Sequence, residues 1–147
     1  MRLLVIHGPN LNLLGAREPH IYGSRTLEEI NRDITAAATE LAIDVRCIQC
    51  NAEGAIIEAI HDAQRSADVL IINPGAYGHY SHAIADAISA TGIRAVEVHL
   101  SNIFAREPFR RRSVIAPACV GTIVGFGPLS YVLAVRAAAQ IGATEKR

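Results

Sequence analysis

The stretch DVLIINPGAYGH, residues 68–79, decides the fold because an unbroken apolar run passes directly into a turn rich in glycine and polar residues. The run over residues 68–72 predicts a strand, which proline and glycine then end. Four further segments, mostly β-branched and apolar, indicate strands in the same way: residues 2–6, 44–49, 94–98 and 120–124. Such unbroken runs are typical of a parallel sheet whose two faces are both covered by helices.

Helical spacing of apolar residues fills the intervals between these strands. Thr26 and Glu29 form a capping box before the first helix, and Gly92 is a candidate C-cap of the third. The predicted apolar stripes are Leu27, Ile30, Ile34, Ala37 and Leu41; Ile56, Ala59, Ile60 and Ala63; and Ala83, Ile84, Ala87 and Ile88. A last helix, residues 129–141, is apolar almost all round, which indicates packing on another subunit. The alternation predicts an α/β fold, a flavodoxin-like three-layer sandwich with a five-stranded parallel sheet.

Composition narrows the class of protein. The 147 residues are expected to form a single domain; half of them are hydrophobic, and 14 basic residues balance 14 acidic ones. A neutral chain lacks the electrostatic signature of a nucleic-acid or membrane partner. No apolar run approaches the roughly 20 residues of a membrane span, and the N-terminal run is too short for a signal peptide. Three cysteines fit a reducing compartment, so we expect a soluble, cytoplasmic protein.

Polar side chains follow one predicted strand after another, in the sequences HGPN, NAEG, NPGAYGH and HLSN. Ligands of doubly wound sheets bind outside the carboxyl ends of the strands. Asn51 and Ser81 are explained as helix N-caps. The wider set is not explained in that way: His7, Asn10, Asn73, His79, His99, Ser101 and Asn102. Such uncharged hydrogen-bonding groups indicate a small polyhydroxylated or keto-acid ligand.

The connection LLGAREPHIYGSRT, residues 13–26, is unusually long for a small α/β protein. Connections of this length are uncommon in compact domains, and many of them are lids or binding loops. This one carries Arg17, Glu18, His20 and Tyr22. We therefore expect a mobile active-site loop over about residues 13–25.

Other kinds of site are weaker alternatives. No Rossmann or P-loop glycine motif follows the first strand, which disfavours a nucleotide. His79, His82 and Asp86 would share a face if the third helix began near His79, which leaves a metal-dependent hydrolase open. Cys47 and Cys50 face opposite ways on a strand and are interpreted as packed thiols. A non-catalytic binding module also remains open, although it has no use for an Arg–Tyr loop.

Four motifs together carry a resemblance to a known family: GPNLNLLGAREPHIYG, NPGAYGH, EVHLSN and REPFR. They resemble the type II 3-dehydroquinate dehydratases over essentially the whole chain. The resemblance implies a flavodoxin-like fold, no cofactor or metal, and a homo-oligomer, a dodecamer built from trimers. It also implies dehydration of 3-dehydroquinate to 3-dehydroshikimate by anti elimination through an enolate, in the shikimate pathway or in quinate breakdown.

The same resemblance implies roles for individual residues. Tyr22 matches the general base, Arg17 its activating arginine, and His99 the general acid that protonates the departing hydroxyl. The substrate-contacting positions are Asn73, His79, Asp86, Leu100, Ser101 and Arg110. Asp86 also matches a residue that reaches the site of a neighbouring subunit. We further expect Asn10 and the backbone near Gly75 and Ala76 to hold a water against the enolate oxygen, a hypothesis that the resemblance favours. The family usually has threonine where Gly78 and Tyr80 stand.

The chemistry of a tyrosine base can be weighed from elementary electrostatics. A phenol has a pKa near 10, so ionising one at pH 7 costs about 4 kcal/mol. One arginine at about 4 Å and an effective dielectric constant of about 20 supplies a similar Coulomb energy. Because desolvation opposes ionisation, a second cation is expected to help, and Arg110 is the candidate.

Overall fold

The computed structural model describes residues 1–16 and 18–144, and five strands of this part of the chain form one parallel sheet. The strands are β1 (Arg2–His7), β2 (Asp44–Gln49), β3 (Val69–Asn73), β4 (Arg94–His99) and β5 (Gly121–Val124). Their order across the sheet is β2-β1-β3-β4-β5. This confirms the predicted α/β fold and its sheet, with strand ends within one residue of the predicted ones.

Helices cover both faces of the sheet. They are α1 (Pro19–Tyr22), α2 (Leu27–Glu40), α3 (Glu53–Ser66), α4 (His82–Thr91) and α5 (Leu129–Ala143). One apolar cluster joins α2 and α5 to alternate strand residues such as Val5 and Ile71, and a second joins α3 and α4 to Ile6 and Ile72. Because successive strand residues point to opposite faces, unbroken apolar runs satisfy both clusters.

The helix ends follow the sequence signals in most places. The Thr26 hydroxyl accepts from the N–H of Glu29, whose carboxylate accepts from the N–H of Thr26, so the predicted capping box is present. Ser81 caps α4, and Gly92 ends it with φ 67°. Ala83 is exposed, so its place in the buried stripe was wrong. In that helix the buried stripe is Ile84, Ala87 and Ile88.

The first and third strands approach each other closely where they end. The Gly8 N–H donates to the Asn73 carbonyl at 2.8 Å. A Cβ built on Gly8 would lie 2.7 Å from that carbonyl oxygen and 2.7 Å from the carbonyl carbon of Pro74. The approach places the two chain segments that follow β1 and β3 side by side at the carboxyl edge of the sheet.

Candidate active site

A cavity of about 240 Å³ opens at the carboxyl edge of the sheet, where the sequence predicted a ligand crevice. Its walls come from α1 and from the segments that follow β1, β3 and β4. The lining residues that carry polar side chains are Asn10, Tyr22, Asn73, His79, His99, Ser101, Arg106 and Arg110. Leu100 lines it as well. Most of the predicted site residues are therefore brought together in one place.

Strand β4 delivers His99 to the cavity and holds a buried carboxylate beneath it. The two residues lie two positions apart and point to the same face of the sheet. The His99 Nε2–H donates to Glu97 Oε1 at 2.7 Å, and Glu97 is fully buried. The Ser113 hydroxyl lies 2.8 and 2.9 Å from the two carboxylate oxygens. The carboxylate is thus hydrogen-bonded on both oxygens, which fixes the orientation of the imidazole ring.

His79 stands beside His99 at the rim of the cavity. The two rings are stacked with centroids 6.1 Å apart, and the His79 Nδ1–H donates to the Arg112 carbonyl at 2.8 Å. Burial is the main cause that holds the pKa of His79 below its usual value, while the bond to the carbonyl opposes this shift. A neutral His79 with its Nδ1 proton committed leaves Nε2 as an acceptor for a ligand hydroxyl.

Tyr22, at the end of α1, contacts Arg106, to which the sequence analysis gave no role at the site. Arg106 Nη1 donates to the Tyr22 hydroxyl oxygen at 2.8 Å, and the guanidinium carbon stands 5.2 Å from the centre of the Tyr22 ring. The same Nη1 lies 3.5 Å from the Ser101 hydroxyl. Arg110, the expected second cation, also lines the cavity but pairs with Glu107. The guanidinium that contacts Tyr22 in the described residues is thus that of Arg106.

The segments after β3 and β1 supply amide groups. Asn73 is buried, and its Oδ1 accepts from the N–H of Gly75 at 3.2 Å. Asn10 adopts the left-handed conformation with φ 68°, and its N–H donates to Asn51 Oδ1 at 3.0 Å. The N-cap expectation for Asn51 was therefore wrong, because α3 is preceded by Ala52 and the Asn51 side chain ties β2 to the segment after β1.

Two predicted site residues stand apart from this description, one because it is not described and one because it lies away from the cavity. Arg17 lies outside the residues that the structure describes. Asp86 is exposed on α4 and does not line the cavity. The described part of the connection that carries Tyr22 includes two short helices, Leu11–Leu13 and Pro19–Tyr22.

The metal alternative lacks its ligand set. Helix α4 begins at His82, so His79 lies in the preceding 3₁₀ turn rather than on the same helical face. Among residues 1–16 and 18–144, no three His, Cys, Asp or Glu side chains are grouped as metal ligands would be. Cys47 and Cys50 pack into opposite apolar clusters, as predicted, and burial raises the pKa of Cys47 to about 11. No helix within the described ranges is long and apolar enough to span a membrane.

Comparison with known proteins agrees with this arrangement. The family model for "Dehydroquinase class II" matches residues 1–139. The chain belongs to the class II dehydroquinase family. It is 54% identical over 144 residues to the 3-dehydroquinate dehydratase of Pelotomaculum thermopropionicum, which covers 98% of this chain and 100% of that one.

Solved structures of class II dehydroquinases share the fold. The type II dehydroquinase from Butyrivibrio crossotus superposes with a TM-score of 0.91 at 47% identity, covering 93% of this chain and 96% of that one. The type II dehydroquinase from Propionibacterium acnes gives a TM-score of 0.89 at 41% identity, covering 95% and 96% of the two chains. The family resemblance read from the four motifs is confirmed.

The sequence analysis gave no role to Arg106, which lines the class II dehydroquinase cavity, or to Glu97, which is buried beneath His99. The position of Glu97 could have indicated a role, because an acidic residue in the middle of an apolar strand is buried and must be paired. Local sequence gives little indication of a role for Arg106. It begins the basic run REPFRRR, and no neighbouring residue distinguishes it from Arg111 and Arg112. Tertiary folding alone brings Arg106 to a tyrosine 84 residues away.

Proposed function

We propose that the chain dehydrates 3-dehydroquinate to 3-dehydroshikimate by anti elimination through an enolate, with Tyr22 as base and His99 as acid. The observation that carries this proposal is the contact of the Tyr22 hydroxyl with the Arg106 guanidinium, in the cavity that His99 also lines. The guanidinium donates to the hydroxyl oxygen, the atom that would carry the negative charge when Tyr22 acts as the base that removes a proton. Arg17, on the same connection, is proposed as a further activating cation.

The charges of the cavity suit an anionic substrate. Arg106 and Arg110 line it, and its described lining residues include no aspartate or glutamate. A substrate carboxylate therefore meets the guanidinium groups of Arg106 and Arg110, of which Arg110 is also paired with Glu107 outside the lining. Asn73, His79, Leu100, Ser101 and Arg110 are proposed to hold the ring hydroxyls and the carboxylate. Asp86 is proposed to contribute from a neighbouring subunit.

The chemical steps use one proton acceptor and one proton donor. The Tyr22 phenolate takes a proton from the carbon beside the ketone, and the negative charge moves onto the ketone oxygen as an enolate. Asn10 and the backbone near Gly75 and Ala76 are proposed to hold a water against that oxygen. The enolate then re-forms the ketone, the carbon–oxygen bond to the leaving hydroxyl breaks, and His99 protonates the hydroxyl to release water.

A Schiff-base route is disfavoured by composition. The single lysine of the chain, Lys146, lies outside the described residues and stands next to the last residue. Because no described residue that lines the cavity carries an amine, the proposed route keeps the charge on oxygen rather than passing it into an imine. Borohydride added during turnover is therefore expected neither to inactivate the chain nor to add substrate mass to it, as mass spectrometry would detect.

We further propose a homo-oligomer, a dodecamer of trimers, acting in the cytoplasm as one catalytic domain with a mobile connection over residues 13–25. Large apolar side chains exposed on this subunit support an assembly, among them Phe104, Val120, Phe126 and Leu129. The free cysteines Cys47, Cys50 and Cys119 are compatible with a reducing compartment. Light scattering of the purified chain measures the mass of the assembly.

The test is direct. Purified chain is mixed with 3-dehydroquinate, and the absorbance of the conjugated enone product is followed with and without a chelator. Turnover that the chelator leaves unchanged is the expected result. Absence of turnover, with tight binding of the same compound, would instead favour a binding module. Turnover lost on chelation would restore the metal-dependent alternative.

A further inference from the structure

A short segment between β4 and β5 lies against the 3₁₀ turn that carries His79. The Arg112 carbonyl accepts from His79 Nδ1–H at 2.8 Å, and the Val114 N–H donates to the Gly78 carbonyl at 2.8 Å. Ser113 stands between these two anchored residues. Because its neighbours hold the backbone on both sides, we expect Ser113 to keep its place when its hydroxyl is removed.

The surroundings of the Ser113 hydroxyl fix where its proton goes. The N–H groups of Ile115 and Ala116 both donate to Ser113 Oγ, at 3.2 and 3.0 Å. A hydroxyl oxygen has two lone pairs, and these two hydrogen bonds use both of them. The proton of the hydroxyl is therefore donated to the Glu97 carboxylate, whose oxygens lie 2.8 and 2.9 Å away.

The Glu97 carboxylate depends on this donor. His99 Nε2 lies 2.7 Å from Oε1, and the Thr122 hydroxyl lies 3.5 Å from Oε2, at the limit of a hydrogen bond. Glu97 has no exposed surface, and a buried carboxylate oxygen is costly to leave without a donor. Without the Ser113 hydroxyl, Oε2 would keep only the long contact with Thr122, and the carboxylate would lose its fixed orientation.

We propose that Ser113 is a positioning residue that holds the Glu97 carboxylate so that His99 presents Nδ1 to the ligand in the cavity. With the Nε2 proton committed to Glu97, Nδ1 is the ring nitrogen that can exchange a proton with a ligand. The kinetic consequence rests on the proposed function, in which His99 is the acid, whereas the arrangement of the three side chains does not.

Proton NMR tests the arrangement independently of turnover. In the intact protein, the Ser113 hydroxyl proton and the His99 Nε2 proton are both expected to exchange with water slowly enough to be observed. In Ser113→Ala, the His99 Nε2 proton should exchange about 10-fold faster or more, the factor associated with one hydrogen bond. Thr91→Val, which removes a half-buried hydroxyl at the end of α4, should leave that rate unchanged. Fast exchange of either proton in the intact protein, or an unchanged His99 rate in Ser113→Ala, would overturn the proposal.

The separate values of kcat and KM distinguish positioning from simple support of the segment. Through Glu97, Ser113→Ala is expected to lower kcat about 10-fold and to change KM less than about 2-fold. A displaced segment would instead move the Arg112 carbonyl that holds His79, a proposed substrate contact, and KM would rise. A raised KM with an unaltered kcat would therefore contradict the positioning role.

A double-mutant cycle tests whether Ser113 acts through Glu97. In a Glu97→Gln background, Ser113→Ala is expected to change kcat less than about 2-fold, because both substitutions act on the same side chain. The same 10-fold factor in both backgrounds would show that Ser113 acts by another route. Thr91→Val should leave kcat unchanged. A wild-type chain without turnover would remove the proposed function, and the exchange measurements would still decide this proposal.

Discussion

At the scale of single residues, the cavity owes its chemistry to pairs of side chains rather than to isolated groups. Tyr22 is paired with Arg106, and His99 with Glu97. In each pair a hydrogen bond from one residue to the other fixes the orientation of the group that lines the cavity. Loss of a partner therefore alters chemistry while most of the core stays intact.

Replacing Tyr22 by phenylalanine removes the proposed proton acceptor and leaves the ring in place. We expect turnover of 3-dehydroquinate to fall at least about 100-fold, the lower range for loss of an acid–base group. Thermal unfolding should change little, because Tyr22 is only half-buried. Turnover near the wild-type value would remove Tyr22 from the mechanism.

Replacing Arg106 by methionine keeps much of the side-chain length and removes the charge that stabilises the phenolate. Turnover is expected to fall about 10-fold or more, since a hydrogen bond to a charged group contributes about 1.5–3 kcal/mol. Arg112→Gln is the matched control, because its side chain is exposed on the same segment and does not line the cavity. Equal losses in the two variants would point to general electrostatics instead of the contact with Tyr22.

At the scale of elements, strand β4 shows how a simple periodicity builds a catalytic pair. Residues two apart on a strand share a face, so Glu97 and His99 are aligned by the strand itself. Ser113, on the segment between β4 and β5, donates a hydrogen bond to the Glu97 carboxylate. A buried carboxylate of this kind is retained only where its hydrogen bonds are complete.

Glu97→Gln tests this alignment. The amide keeps the shape of the side chain but replaces one of the two acceptor oxygens that His99 and Ser113 share with a donor, so His99 loses its fixed orientation and we expect kcat to fall about 10-fold or more. Glu58→Gln, an exposed carboxylate on α3, should have no effect. Steady-state kinetics at several pH values measures both variants, and an unaltered kcat in Glu97→Gln would contradict the role of the pair.

Predictability from sequence also varies by element. The apolar runs and the Thr26 capping box predicted strands and helices well, because both depend on local spacing. The predictions of Asn51 as an N-cap and of Ala83 as a buried residue were wrong. Local spacing does not indicate which distant residues pack against a position. Arg106 could not be found from spacing, because its contact with Tyr22 forms only when the segment after β4 folds over the cavity. The motifs supplied most remaining cavity residues through the family resemblance.

At the scale of the whole molecule, the two faces of the sheet supply the cavity with different groups. The face covered by α3 and α4 carries Glu97 and His99, and the face covered by α2 and α5 carries His7 and Asn73. The carboxyl edge is the place where both faces can contribute. Stability and function are therefore linked through buried polar residues as well as through the apolar core.

His7 makes the free energy of unfolding depend on pH. Its pKa is about 4 in the folded chain against about 6.5 in an unfolded one, so the unfolded state binds the extra proton between these values. The contribution of His7 to the free energy of unfolding is complete above pH 6.5. It falls by about 3 kcal/mol as the pH drops to 4. Urea unfolding at pH 7 and pH 4.5 measures the loss. His7→Gln should reduce the difference, whereas His61→Gln, at an exposed site, should preserve it.

The close approach at Gly8 sets a limit on how this chain can vary. Every other amino acid would place a carbon against the backbone of Asn73 and Pro74, where no flexible side chain can give way. The added carbon would push apart the two segments that carry Asn10 and Asn73. In a library of all twenty amino acids at position 8, selection for growth on this enzyme should return glycine codons alone, although no atom of residue 8 takes part in the chemistry.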